Sequence, residues 1–128
     1  MKKIIIDRKI WLHGKKQIDQ TCDTPSKASA LYRSLDKKMC CIGIYLNQCG
    51  IPKKILLDKS DAICILDVGY PLPKQAAWLV DTQGHSSEEY HNNSIDSGRL
   101  MTINDASANE NTIKKLFAKH DVEVEFIN

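Results

Sequence analysis

A chain of 128 residues with 42% hydrophobic and 27% charged side chains has the balance of one ordinary globular domain, able to bury roughly two-thirds of its unfolded surface without a disulfide staple. Its net charge of +2 and pI near 8.2 come with lysines scattered in pairs, which argues against a nucleic-acid partner because a binding face would be denser. Neither disorder nor a fibrous repeat fits this composition, and no apolar run approaches the ~18 residues that a membrane helix needs.

Residues 2–7 carry Ile4, Ile5 and Ile6, a β-branched run suited to a strand with at least one buried face. Asp7, Arg8 and Lys9 end that run too early for a signal-peptide core, so a soluble cytoplasmic protein is expected, with Cys22, Cys40, Cys41, Cys49 and Cys64 reduced. Ile10 and Leu12 alternate with Trp11 and His13, the pattern of a second short strand that Gly14 closes. Residues 15–29 are polar and read as loop.

The densest apolar stretch lies in the middle of the chain. Residues 31–35 alternate like a strand, 36–38 form a polar turn, and 39–49 give about three helical turns before Gly50 and Pro52 stop them. Met39, Ile42 and Leu46 share one helix face and Cys41, Tyr45 and Cys49 the next, so the helix is apolar nearly all round and belongs inside the domain. Gly43 would let a neighbouring element approach it closely.

Residues 52–57 have room for one helical turn. The continuous run Ala62, Ile63, Cys64, Ile65, Leu66, bounded by Asp61 and Asp67, reads as a buried strand. Two prolines make 69–73 irregular, and 75–80 is a short strand or helical turn carrying Trp78. The long polar stretch 81–98 reads as a recognition loop, with His85, Glu88, Glu89, Tyr90, His91, Asn92 and Asn93 as partner-contact candidates and a possible capping box at Ser86 and Glu89. Residues 99–104 favour a helix begun near Ser94.

Ser107 and Glu110 match a capping box before the amphipathic face Ile113, Leu116, Phe117, which predicts a helix over 108–119. Val122, Val124 and Phe126 then alternate with acidic residues as a half-buried strand, expected to sit beside Lys2 or Lys3 if the terminal strands pair. The sum is a single α+β domain over 1–128, a mostly antiparallel sheet packed against two main helices.

Five segments together resemble a group of small uncharacterised proteins of tailed phages and prophages. They are Ile6-Asp7-Arg8 with Trp11, Lys38-Met39-Cys40-Cys41-Ile42-Gly43, Leu100-Met101 before Ile103-Asn104-Asp105, Leu116-Phe117-Ala118-Lys119-His120, and Val122-Glu123-Val124-Glu125-Phe126. The order holds over most of the chain, and the Lys-Met-Cys-Cys segment is its most specific part. The chain departs from the group's pattern at Lys37, at Ile42 and in the extended stretch 85–97. The resemblance implies a phage-encoded accessory protein that binds and blocks or sequesters a host component, either a partner protein or a signalling nucleotide, in the cytoplasm of an infected bacterium.

The residues themselves leave a thiol hydrolase or transferase as the alternative, and whether the chain is an enzyme stays open. Cys40 or Cys41 at a helix N-terminus would be the nucleophile, His85 or His91 its base, and Asn92 or Asn93 the orienter. Core packing is the stronger expectation for both thiols. Adjacent cysteines do not chelate one tetrahedral zinc, and no phosphate-cradling glycine motif occurs, so neither a metal nor a cofactor is expected. Nucleotide capture would draw on Arg8, Trp11, Arg33 and Arg99 as clamps, with Asn104 and Asp105 as hydrogen-bonding groups.

Overall fold

The isoleucines near the start of the chain pair with the alternating strand near its end. Strand β1 (Lys2–Asp7) and strand β4 (Val122–Ile127) run parallel, with Ile4 opposite Val124 and Ile6 opposite Phe126. Ile4, Ile6, Val122 and Val124 are buried on one face, while Lys3, Glu123 and Glu125 are exposed on the other. The expected meeting of lysine and acid occurs there: Lys3 Nζ lies 3.2 Å from Glu125 Oε2, both half exposed, a geometry worth little in water. The outer edge of β1 is closed by a side chain, since Gln48 Nε2 donates to the Ile5 carbonyl at 2.6 Å and Gln48 Oε1 accepts from the Ile5 amide at 2.9 Å.

The computed structural model describes residues 2–13, 30–83, 90–106 and 109–128, apart from the side chains of 82–83 and 90–92. The loop expected at 15–29 and the caps expected at Ser86 and Ser107 lie outside these residues. Between the paired strands come α1 (Cys41–Gln48), α2 (Lys53–Leu56), α3 (Ala62–Asp67), a 3-10 helix (Lys74–Leu79), β2 (Val80–Gln83), β3 (Tyr90–Asn93), α4 (Ile95–Ala106) and α5 (Glu110–Ala118). The fold is α+β, but the expected mostly antiparallel sheet is corrected to two parallel strands, with antiparallel pairing among the described residues confined to the separate β2–β3 pair.

Three further corrections have local causes. Residues 62–66 are helical because Asp61 Oδ1 accepts from Cys64 N at 3.2 Å as an N-cap, and only Ala62 and Ile65, one turn apart, are buried. Residues 31–35 and 8–13 do not form strands: each contributes one isolated bridge, Tyr32 to Leu57 and Trp11 to Met39. The stretch read as a loop over 81–98 contains β2, β3 and the start of α4. The helix favoured over 94–104 is present, its N-terminus held by Ser94 Oγ accepting from Ser97 N at 3.1 Å.

Helix α1 is buried from Cys41 to Leu46, as its nearly all-round apolar pattern demands. Tyr45, fully buried, meets Phe117 of α5 edge-on at 5.3 Å, and Trp78 meets Phe117 edge-on at 5.8 Å. The tip of Tyr45 is satisfied, donating to the Gln75 carbonyl and accepting from Trp78 Nε1. Helix α5 is capped by Asn109, whose side chain accepts from Thr112 N, so it begins two residues later than the capping-box spacing suggested.

Helix α4 contains a glycine, Gly98, that no contact among the described residues requires. A Cβ at Gly98 meets no atom within 4 Å. Gly98→Ala is therefore expected to raise stability by about 1 kcal/mol, the helix-propensity difference, and to lift the melting temperature by several degrees in a calorimetric scan.

Candidate functional site

The Lys-Met-Cys-Cys segment enters α1 under the side chain of Asn104. Asn104 is fully buried; its Oδ1 accepts from Trp11 Nε1 at 2.7 Å and from Cys41 N at 3.1 Å, and its Nδ2 donates to the Leu12 carbonyl at 2.8 Å and to Asp105 Oδ1 at 2.9 Å. Every hydrogen-bonding position of the amide is spent inside the chain. Nominated as a ligand contact, it is instead a tie that joins the strand-end segment, α1 and α4.

Cys40 is the N-cap of α1, its Sγ accepting from Gly43 N at 3.4 Å. The helix terminus was expected to favour a thiolate at Cys40 or Cys41. Burial outweighs it: the Cys40 thiol is pushed up to about 12 despite the Gly43 amide, and Cys41, wholly buried, is raised well above its ordinary value, again by burial first and then by Cys40 and Asp105. A neutral buried thiol is no nucleophile near neutral pH. The bases proposed for it fall outside the described side chains, His85 wholly and His91 beyond its backbone in β3.

Substitution by serine separates the two thiols. Cys40→Ser is expected to leave stability within about 0.5 kcal/mol, because a hydroxyl takes over the cap. Cys41→Ser places a more polar hydroxyl at a wholly buried position and should cost about 1–3 kcal/mol in denaturant titrations. Both native thiols should label with a thiol reagent only as fast as the domain opens.

A pocket of about 240 Å³ opens beside these thiols, lined also by Ser60, Asp61, Met101, Asn104 and Asp105. Its carboxylates serve the fold: Asp61 caps α3 and accepts from Asn93 Nδ2 at 3.2 Å, and Asp105 accepts from Asn104. Asn93, nominated for partner contact, is thereby turned inward. No group of three or more His, Cys, Asp or Glu side chains among the described residues is placed to hold a metal ion.

The nominated arginines stand on three different carboxylates. Arg8 makes a two-point bond to Glu110 at 2.6 and 2.8 Å and covers the Phe126 ring. Arg33, 7% exposed, binds Asp36 three residues on, and Arg99 Nη1 lies 3.9 Å from Asp96. Trp11 is core, 2% exposed and packed between His13 and Phe126. Arg8 and Trp11 meet at Phe126, but the clamp of three arginines on one ring is not assembled.

Sequence reading missed the cleft where Arg99 does stand. A cleft of about 570 Å³ is lined by Trp78, Val80, Asp81, Ser94, Ile95, Asp96, Arg99, Lys119 and His120. His120 lies flat on Trp78, centroids 3.9 Å apart and planes 5° from parallel, and its Nε2 donates to Asp96 Oδ2 at 2.8 Å. Lys119 Nζ reaches the same oxygen at 3.0 Å. Asp96, 12% exposed at its side chain, is held below the usual carboxylate range by the His120 hydrogen bond first and the Lys119 bond second. Ser94, the hydroxyl on this cleft, is occupied as the cap of α4. Asp96 and His120 are 24 residues apart and match no motif, so no local signal joined them.

Asp7, Asp36, Asp58, Asp96 and Glu110 all have lowered pKa values, each caused first by a hydrogen bond. Folded values below unfolded ones mean that the stabilisation is present above the usual carboxylate range and lost as the pH falls through the folded values. Melting temperature should hold steady from neutral pH down to the carboxylate range and then drop, a profile that thermal scans against pH will show.

No protein-family model, no curated protein and no solved structure matches the chain. Fold and site together define an α+β domain with buried thiols and a charged and aromatic cleft, carrying both cations and carboxylates, between α4 and the end of α5. No helix among the described residues is long and apolar enough to cross a membrane.

Proposed function

We propose that this is a non-catalytic binding protein, phage-encoded, that blocks or sequesters a component of the bacterial host. The observation that carries the reading is the Trp78–His120 cleft. Arg99 and Lys119 are 62% and 56% exposed there, so each keeps donors for an incoming acidic group after sharing Asp96. The β2–β3 hairpin borders this cleft through Val80 and Asp81, which supports a role in contact for the segment between its strands. The phage setting is what the resemblance of the sequence segments to phage and prophage proteins implies. Of the two host components considered, a partner protein is favoured over a signalling nucleotide, because Arg8, Arg33 and Arg99 bind separate carboxylates.

The test is affinity capture from a bacterial host lysate with the full chain and with an Arg99→Glu, Lys119→Glu variant, followed by mass spectrometry of retained proteins and released small molecules. A stoichiometric protein lost from the variant is the expected result. Thiol-dependent turnover of a thioester or amide substrate, with nothing retained, would overturn it in favour of the hydrolase reading.

A further inference from the structure

Helix α4 turns an apolar face away from the domain. Ile95, Gly98, Arg99, Thr102 and Ile103 fall at helical spacing along one side and line a shallow groove of about 410 Å³. Ile95 is 74% exposed, the most exposed of the large hydrophobic residues described, although burying it would be favourable by about 2 kcal/mol. Gly98 sits at the centre with open space where its side chain would be, so no packing among the described residues accounts for a helix-weakening residue there. Gly98 and Thr102, four residues apart, are the small pair that lets another backbone come close to a helix.

We infer that this face of α4 is the docking surface for an amphipathic helix of the partner protein, one that carries acidic residues beside its apolar stripe. Two features select that occupant. The groove shares Ile95 and Arg99 with the Trp78–His120 cleft, so an apolar stripe seated over Gly98 has Arg99 and, one step along, Lys119 at its border. In the cleft these cations face Asp81 and Asp96, but the groove itself is lined by one charged residue, the 62% exposed Arg99, which matches a carboxylate and repels a lysine. A second copy of this chain fits poorly, because a two-fold contact centred on Gly98 would bring Arg99 against Arg99. The groove is also open along its length, which suits a helix and gives a small ligand little enclosure.

The inference rests on the binding-protein reading, and the experiments keep the two separable. The isotope-labelled full chain is titrated with a synthetic helical peptide of about 14 residues, leucines at i, i+4, i+7 and i+11 and glutamates flanking them. Shifts confined to backbone amides of 94–103 and 119–120 are expected, with binding about tenfold weaker when lysines replace the glutamates. Gly98→Leu fills open space and should keep the fold while abolishing binding. Equal binding of the two peptides, shifts elsewhere, or undiminished binding by a folded Gly98→Leu variant would overturn the proposal. Dimerisation of the free chain that Gly98→Leu abolishes, measured by sedimentation equilibrium, would put a second copy there instead. Capture of the same lysate protein by wild type and Gly98→Leu alike removes this surface but leaves the binding protein. Capture by neither, with thiol-dependent turnover, removes both.

Discussion

Gly43→Ala is expected to destabilise the domain by about 2–4 kcal/mol, a large part of the 5–15 kcal/mol that holds a domain of this kind together. The added Cβ would stand 1.9 Å from the Leu31 carbonyl oxygen, 2.6 Å from its carbon and 2.8 Å from its Cα. All three are backbone atoms, and the segment is pinned on both sides. Leu31 N donates to the Lys59 carbonyl at 2.8 Å, and the Ala30 carbonyl accepts from Cys40 N at 3.2 Å. Neither α1 nor the Leu31 segment yields without losing such bonds, and the gain in helix propensity of about 1 kcal/mol offsets only part of the strain. The same substitution at Gly98 has the opposite sign, so calorimetry of the two variants side by side checks both assignments. A Gly43→Ala protein that melts with the wild type would break the close packing of α1 on Leu31.

Asn104→Leu should cost at least as much. It strands Trp11 Nε1, Cys41 N and the Leu12 carbonyl in the interior, each an unsatisfied group worth about 1–3 kcal/mol. Asn104→Asp keeps the acceptor for the first two but loses the donor to Leu12 and sets a second carboxylate against Asp105. Denaturant titrations should place both variants several kcal/mol below wild type, with the indole fluorescence of Trp11 altered even where the fold survives. A merely ligand-contacting asparagine would leave stability unchanged.

Elements whose pattern repeats were legible in the residues. Val122, Val124 and Phe126 announce a half-buried strand, and Ile113, Leu116 and Phe117 a helix face, because each carries its period over enough positions to exclude the other. Ala62 to Asp67 failed that test: a short apolar run has no period, and the deciding group was the Asp61 carboxylate just before it. Strand direction had no signal in the residues, and the strands that pair in parallel, β1 and β4, lie at opposite ends of the described chain. At the site, the burial of Cys40 and Cys41 could be read from the apolar surroundings of α1. The meeting of Trp78, Asp96, Arg99, Lys119 and His120 could not, since it depends on how α4 and α5 pack.

The pairing of β1 with β4 also bears on how the chain reaches its native state. Lys2 finds its partner at Val122, so the sheet closes only after nearly all of the intervening chain has been gathered in. Contacts of such long range slow folding, because loop entropy is lost before they contribute anything. During synthesis Ile4, Ile5 and Ile6 leave the ribosome well before β4, the strand they pair with. In that interval Gln48 is the nearest relief: once α1 forms, its amide can hold the Ile5 backbone and occupy one edge of the waiting strand. The Gln48 amide thus takes up the Ile5 N–H and carbonyl on the edge of β1 that β4 does not cover.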